Sequence, residues 1–152
     1  MVAAMATGEL SYSGNQRKPA EAPRKLRILV VDDARDMVLT LTTLLRDEGH
    51  VVEGVYRAQD VMPAFKQFDP DVVLVDIALP DGSGYSIAEN IRRRAGSSRP
   101  MLIAVTGIYN RPPHDRLSRI VGCDHFLTKP FEIGEVLKLI EPLTLQSGPS
   151  PR

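Results

Sequence analysis

Five short apolar runs, each followed by a stretch with helical period, constrain this chain more than any other feature. The runs are RILVV (27–31), VVEGV (51–55), VVLVD (72–76), MLIAVT (101–106) and HFLT (125–128). Each reads as a short strand. Between the first two, Met37, Val38, Leu41, Leu44 and Leu45 recur at helical spacing and predict a helix over 36–47, with Gly49 as its cap. Further helices are expected over 59–68, 84–94, 113–121 and 131–141. Pro63 is tolerable only near the first turn of its helix, where amide hydrogens lack intrahelical partners. Asp69-Pro70 stops that helix. Pro112-Pro113 opens the fourth helix, and Pro142 is expected to end the last. Strands this apolar are buried on both faces. A parallel sheet with helices on each side follows, an α/β doubly wound fold of five strands.

The 152 residues suffice for one domain with a proper core. Formal net charge is zero, which argues against nucleic-acid or membrane binding driven by bulk charge. The single cysteine, Cys123, excludes an internal disulfide and a cysteine-based zinc cage, and fits a reducing cytoplasm. No apolar run approaches the roughly 18–20 residues of a membrane helix, and no signal peptide is visible. Residues 1–25 are small, polar and proline-bearing and read as a disordered arm. Its basic group, Arg17, Lys18, Arg24 and Lys25, reads as solvated charge. Residues 145–152 read as a disordered tail, which leaves 26–144 as the domain.

Three aspartates stand at carboxyl ends of strands: Asp32 and Asp33 after the first, Asp76 after the third. Open α/β sheets bind ligands there, at the topological switch point. An order of 2-1-3-4-5 would place that point between strands one and three, where all three carboxylates converge. Two carboxylates ~4 Å apart repel by about 4 kcal/mol at an effective dielectric of ~20, so a cation must offset them. Mg²⁺ suits such oxygen donors. Lys129, after strand five, can supply a fixed ammonium. Thr106 and Gly107, ending strand four, offer a hydroxyl and an amide to phosphoryl oxygens. Carboxylates for a metal, one carboxylate as nucleophile and donors for phosphate make a phosphoryl-transfer site.

The motifs ILVVDD, VVLVDIALPDGSGY, MLIAVTG and FLTKPF, in this order over residues 26–141, resemble the receiver domain of bacterial two-component response regulators, of the chemotaxis-regulator-like kind. The resemblance implies a flavodoxin-like sheet and a role for each position. Asp76 would be the phosphoacceptor. Asp33 would ligate Mg²⁺ (or Mn²⁺) directly, helped by Asp32 and Asp76, with the backbone carbonyl of Ala78 as a further ligand. Lys129 would pair with Asp76 and then with its phosphate. Thr106 would move toward the phosphate, Gly107 would donate its amide, and the Lys129–Pro130 bond would be cis. Phe126 matches the switch aromatic but lacks the tyrosine hydroxyl common in the family. Ile108, two residues after Thr106, is bulky and near the path of attacking water.

The resemblance implies a signalling switch and not a metabolic enzyme. A sensor histidine kinase or phosphotransfer protein would donate to Asp76. A protein effector would read residues 113–141, a face that also forms homodimers in the family. No direct nucleic-acid or membrane contact is expected, and the setting would be cytoplasmic. About eleven residues follow Glu141, so the chain reads as a single-domain regulator or a receiver cut from a larger protein. Two other readings share parts of this residue set. An aspartyl-phosphate phosphatase would need an Asp-x-Asp pattern after strand one, and here the aspartates are adjacent. A phosphate-independent interaction module would not need Asp33, Asp76, Thr106 and Lys129 together. His50, His114 and His125 lack ligand-like spacing. Gly82 and Gly84 serve a turn into the third helix, not a nucleotide loop.

Overall fold

The computed structural model describes residues 21–95, 99–107 and 122–146. In chain order it contains β1 (Arg27–Val31), α1 (Arg35–Asp47), β2 (Val51–Val55), α2 (Ala58–Phe68), β3 (Val72–Asp76), β4 (Ala78–Leu79), β5 (Gly82–Ser83), α3 (Gly84–Ala95), β6 (Met101–Gly107), β7 (His125–Lys129) and α4 (Ile133–Thr144). The main sheet is parallel, in the order β2-β1-β3-β6-β7. Counting only its own strands, this is the expected 2-1-3-4-5. The helix expected over 113–121 lies outside the described residues.

Strand alternation divides the core in two. Val73 and Val75 point to one face, where they join Val61 and Phe68 of α2 and Ile87, Ala88 and Ile91 of α3. Val72 and Leu74 point to the other and meet Val38, Leu41 and Leu45 of α1 and Val136 and Ile140 of α4. All five β3 residues are buried, as the central strand of a doubly covered sheet requires. Gly54 is needed in β2 because a side chain there would collide with Val38 Cγ1 of α1.

Helix ends follow local chemistry. Gly49 adopts φ +95° and donates its amide to Arg46 O at 2.8 Å, which closes α1. Asp69 stands in the left-handed region, φ 49°, just before the proline that stops α2. The two internal prolines depart from expectation. Pro63 sits in the second turn of α2, and Pro142 lies inside α4 instead of ending it. Both rings are exposed, so the carbonyls that lose a partner can be hydrated. Beyond Pro142, Leu143 packs on the core and Thr144 O accepts the Arg24 amide at 2.8 Å, which gives the helix reason to continue. Arg24 also donates to Asp71 at 2.8 Å, so packed chain reaches back into the segment expected to be an arm. The IALPDGSG loop holds a small antiparallel hairpin, Ala78 opposite Ser83 and Leu79 opposite Gly82, where the sequence pattern predicts only a loop.

Candidate functional site

β1 and β3 are neighbours, so their carboxyl ends deliver Asp32, Asp33 and Asp76 to one place. Each can offer a carboxylate oxygen, and these atoms lie within 4.8 Å of one another. Asp32 and Asp76 are 3% and 6% exposed, while Asp33 faces solvent, so the cluster has a buried floor and an open mouth. Hard oxygen donors in this number suit Mg²⁺ or Mn²⁺.

Lys129, the last residue of β7, crosses the carboxyl edge of the sheet to the cluster. Its Nζ donates to Asp32 Oδ2 at 2.7 Å and to Asp76 Oδ2 at 2.9 Å. The family resemblance implies the pairing with Asp76 but not the contact with Asp32. The remaining oxygens accept backbone amides two residues on: Ala34 donates to Asp32 Oδ1 and Ala78 to Asp76 Oδ1, both at 2.9 Å. Burial pushes the Asp76 carboxyl above its usual range, and the Asp32 charge adds to this. The Lys129 ammonium and the Ala78 amide act the other way without cancelling it. For Lys129, burial acts to lower the pKa, but hydrogen bonds and charge from Asp32 and Asp76 outweigh it and leave the pKa raised.

Thr106 is buried at the end of β6, one residue beyond Val105, the register partner of Asp76. Gly107 is in register with Lys129 on β7. Phe126 is half-buried and packs against the α2–α3 side of the core. The Lys129–Pro130 peptide is cis, as is Arg99–Pro100. Ile108 lies outside the described residues, as does the 113–121 part of the expected output face. His50 and His125 stand away from the cluster; His50 Nδ1 accepts the Leu26 amide.

Gly84 does more than serve a turn into α3. A Cβ there would collide with the Asp76 carbonyl oxygen and lie 2.7 Å from Ile77 Cα. The Gly84 amide donates to Ile77 O at 3.0 Å. The first residue of α3 is therefore pressed against the backbone of Asp76. The signal was available in the Gly84 letter, but only the fold says what it approaches.

A family model described as the response regulator receiver domain matches residues 28–141. The transcriptional regulatory protein TcrA of Mycobacterium tuberculosis is 31% identical over 128 residues, covering 84% of this chain and 49% of that protein. Protein PilG of Pseudomonas aeruginosa is 31% identical over 119 residues, covering 76% of this chain and 85% of that one. This chain thus spans about half the length of TcrA and most of PilG. Among solved structures, a CheY-like receiver domain protein from Methanospirillum hungatei superposes with TM-score 0.71 at 26% identity, covering 80% of this chain and 94% of that one. The chemotaxis response regulator CheY4 of Vibrio cholerae gives TM-score 0.70 at 20% identity over 79% and 99%, a likeness of fold. Sheet order, acidic cluster and family match agree: this chain belongs to the receiver domain family of two-component response regulators.

Proposed function

We propose that the chain accepts a phosphoryl group on Asp76 from the phosphohistidine of a sensor histidine kinase or phosphotransfer protein, and that the modification switches a protein-binding face. The observation that carries this reading is the Lys129 ammonium bonded to Asp76 beside two further carboxylates within 4.8 Å. Asp32, Asp33, Asp76 and the Ala78 carbonyl would hold Mg²⁺ or Mn²⁺. The bound cation supplies charge neutralisation between the carboxylates and the incoming phosphoryl oxygens.

In the transfer, an Asp76 carboxylate oxygen forms the new O–P bond while the N–P bond of the donor breaks. The bonding pair leaves with the imidazole nitrogen. Asp76 needs its carboxylate form to attack, and Lys129 favours that form against burial. Lys129 then holds a phosphoryl oxygen in place of the Asp76 oxygen it releases. The Thr106 hydroxyl and the Gly107 amide take the other oxygens. Moving a two-state protein from 1:99 to 99:1 needs about 5.5 kcal/mol of differential interaction. Two or three charge-assisted hydrogen bonds at about 1.5–3 kcal/mol each are of that size. Phe126, on the same strand as Lys129, would couple the Thr106 movement to the effector face by packing. The effector is read as a protein and the setting as cytoplasmic.

Intact mass after incubation with acetyl phosphate and Mg²⁺ tests the assignment. One added phosphoryl group in the wild type, absent from Asp76→Asn, is expected. No gain, or equal gain in both proteins, would overturn it.

A further inference from the structure

Asp81 lies at the tip of the β4–β5 hairpin, outside the acidic cluster, and its carboxylate is spent on a different element. It accepts the amide of Ala58 at 3.0 Å and that of Gln59 at 3.4 Å. These are the first two residues of α2, whose own N-cap residue, Arg57, makes no side-chain cap. Orphan amides at a helix start need an acceptor, and here it comes from 23 residues away. The approach is close: a Cβ on Gly82 would lie 2.7 Å from Ala58 Cβ.

The hairpin is held at its other end too. Gly84 is pressed on the backbone of Asp76 and Ile77. Between the two anchors lies Ala78, whose amide fixes Asp76 Oδ1 at 2.9 Å. With Asp81 fastened to α2, the segment from Asp76 to Gly84 has little freedom to swing.

From this we infer that Asp81 is a positioning residue for the acidic site: by capping α2 it fixes the hairpin that carries Ala78, and so sets the orientation of the Asp76 carboxylate and of the Ala78 backbone toward a divalent cation. The inference rests on the metal-dependent reading proposed above. Asp81 is exposed, so its removal strands no buried charge and the fold should survive.

The test is calorimetric titration of Mg²⁺ into the full chain without a phosphodonor, for wild type, Asp81→Ala and Asp81→Asn. Amide hydrogen exchange at Ala78 is followed in parallel. Supporting contacts around metal ligands typically change affinity by 10–100-fold, and Asp81→Ala is expected to weaken Mg²⁺ about tenfold. It should also speed exchange at Ala78. Asp81→Asn keeps an oxygen that can accept an α2 amide and should stay close to wild type. Wild-type binding with unchanged affinity in Asp81→Ala, even if its melting temperature falls, would overturn the role of Asp81 alone. No Mg²⁺ binding by the wild type would overturn the metal reading and this inference with it.

Discussion

Lys129 Nζ is bound to Asp32 at 2.7 Å as closely as to Asp76 at 2.9 Å, so a single ammonium is shared between two buried carboxylates. In Lys129→Ala both would face each other without a cation. Removing one partner of a buried pair costs about 3–5 kcal/mol, and the low end applies because Lys129 is 27% exposed. The variant should therefore melt well below wild type in EDTA. Mg²⁺ should raise its melting temperature more than it raises that of the wild type, because the cation takes over the neutralisation. Phosphorylation by acetyl phosphate, read by intact mass, should fall sharply. A Lys129→Ala protein as stable as wild type in EDTA would contradict this account.

Gly84→Ala probes the contact between α3 and the Asp76 backbone. The added methyl meets the Asp76 carbonyl and Ile77 Cα, and backbone atoms cannot rotate away as a flexible side chain would. Overpacking of this kind costs about 1–3 kcal/mol. The displacement falls on Asp76 itself, so phosphorylation should slow by more than the stability loss explains. Gly134→Ala is a control, since a Cβ there meets nothing within 4 Å. Comparable phosphorylation rates in the two variants would sink the argument.

The sheet was legible because all five of its strands contain mainly apolar runs of four to six residues, with helical spacing between them. The acidic cluster was legible because its residues follow those runs directly. What was missed is long-range or very short. The two-residue strands at Ala78–Leu79 and Gly82–Ser83 carry no periodicity to detect. The Asp32–Lys129 bond joins residues 97 apart. Pro142 reads as a stop from local chemistry, yet packing of Leu143 and the Arg24 amide on Thr144 carry the helix past it. Tertiary contacts override a local signal in that case.

His50 gives a pH dependence away from the site. Burial lowers its pKa from 6.5, and the nearby Glu48 charge opposes that without reversing it. Its Nδ1 accepts the Leu26 amide at 3.1 Å, a bond that the imidazolium cannot make. The unfolded chain therefore binds the proton more readily than the folded one. Stability from this group is present above pH 6.5 and is lost as pH falls from there through the lower folded value. Asn at this position can accept the same amide but does not titrate. The urea midpoint of wild type should drop more between pH 7 and pH 5 than that of His50→Asn. Parallel pH profiles would remove His50 as the cause.

Tyr85, in the first turn of α3, buries its hydroxyl with no hydrogen-bond partner among the described residues. The ring packs on the same side of the core as Phe126 and Cys123. Burial raises the phenol pKa, and the neighbouring Cys123 raises it further, as expected for a polar group in apolar surroundings. An unpaired buried hydroxyl costs about 1–3 kcal/mol, so deleting it should stabilise the protein. Tyr85→Phe keeps the ring and its packing and removes only the oxygen. A gain of about 1 kcal/mol in urea unfolding is expected, at an unchanged denaturant slope. If the variant is less stable than wild type, the hydroxyl has a favourable partner in solution and the account of this side of the core fails.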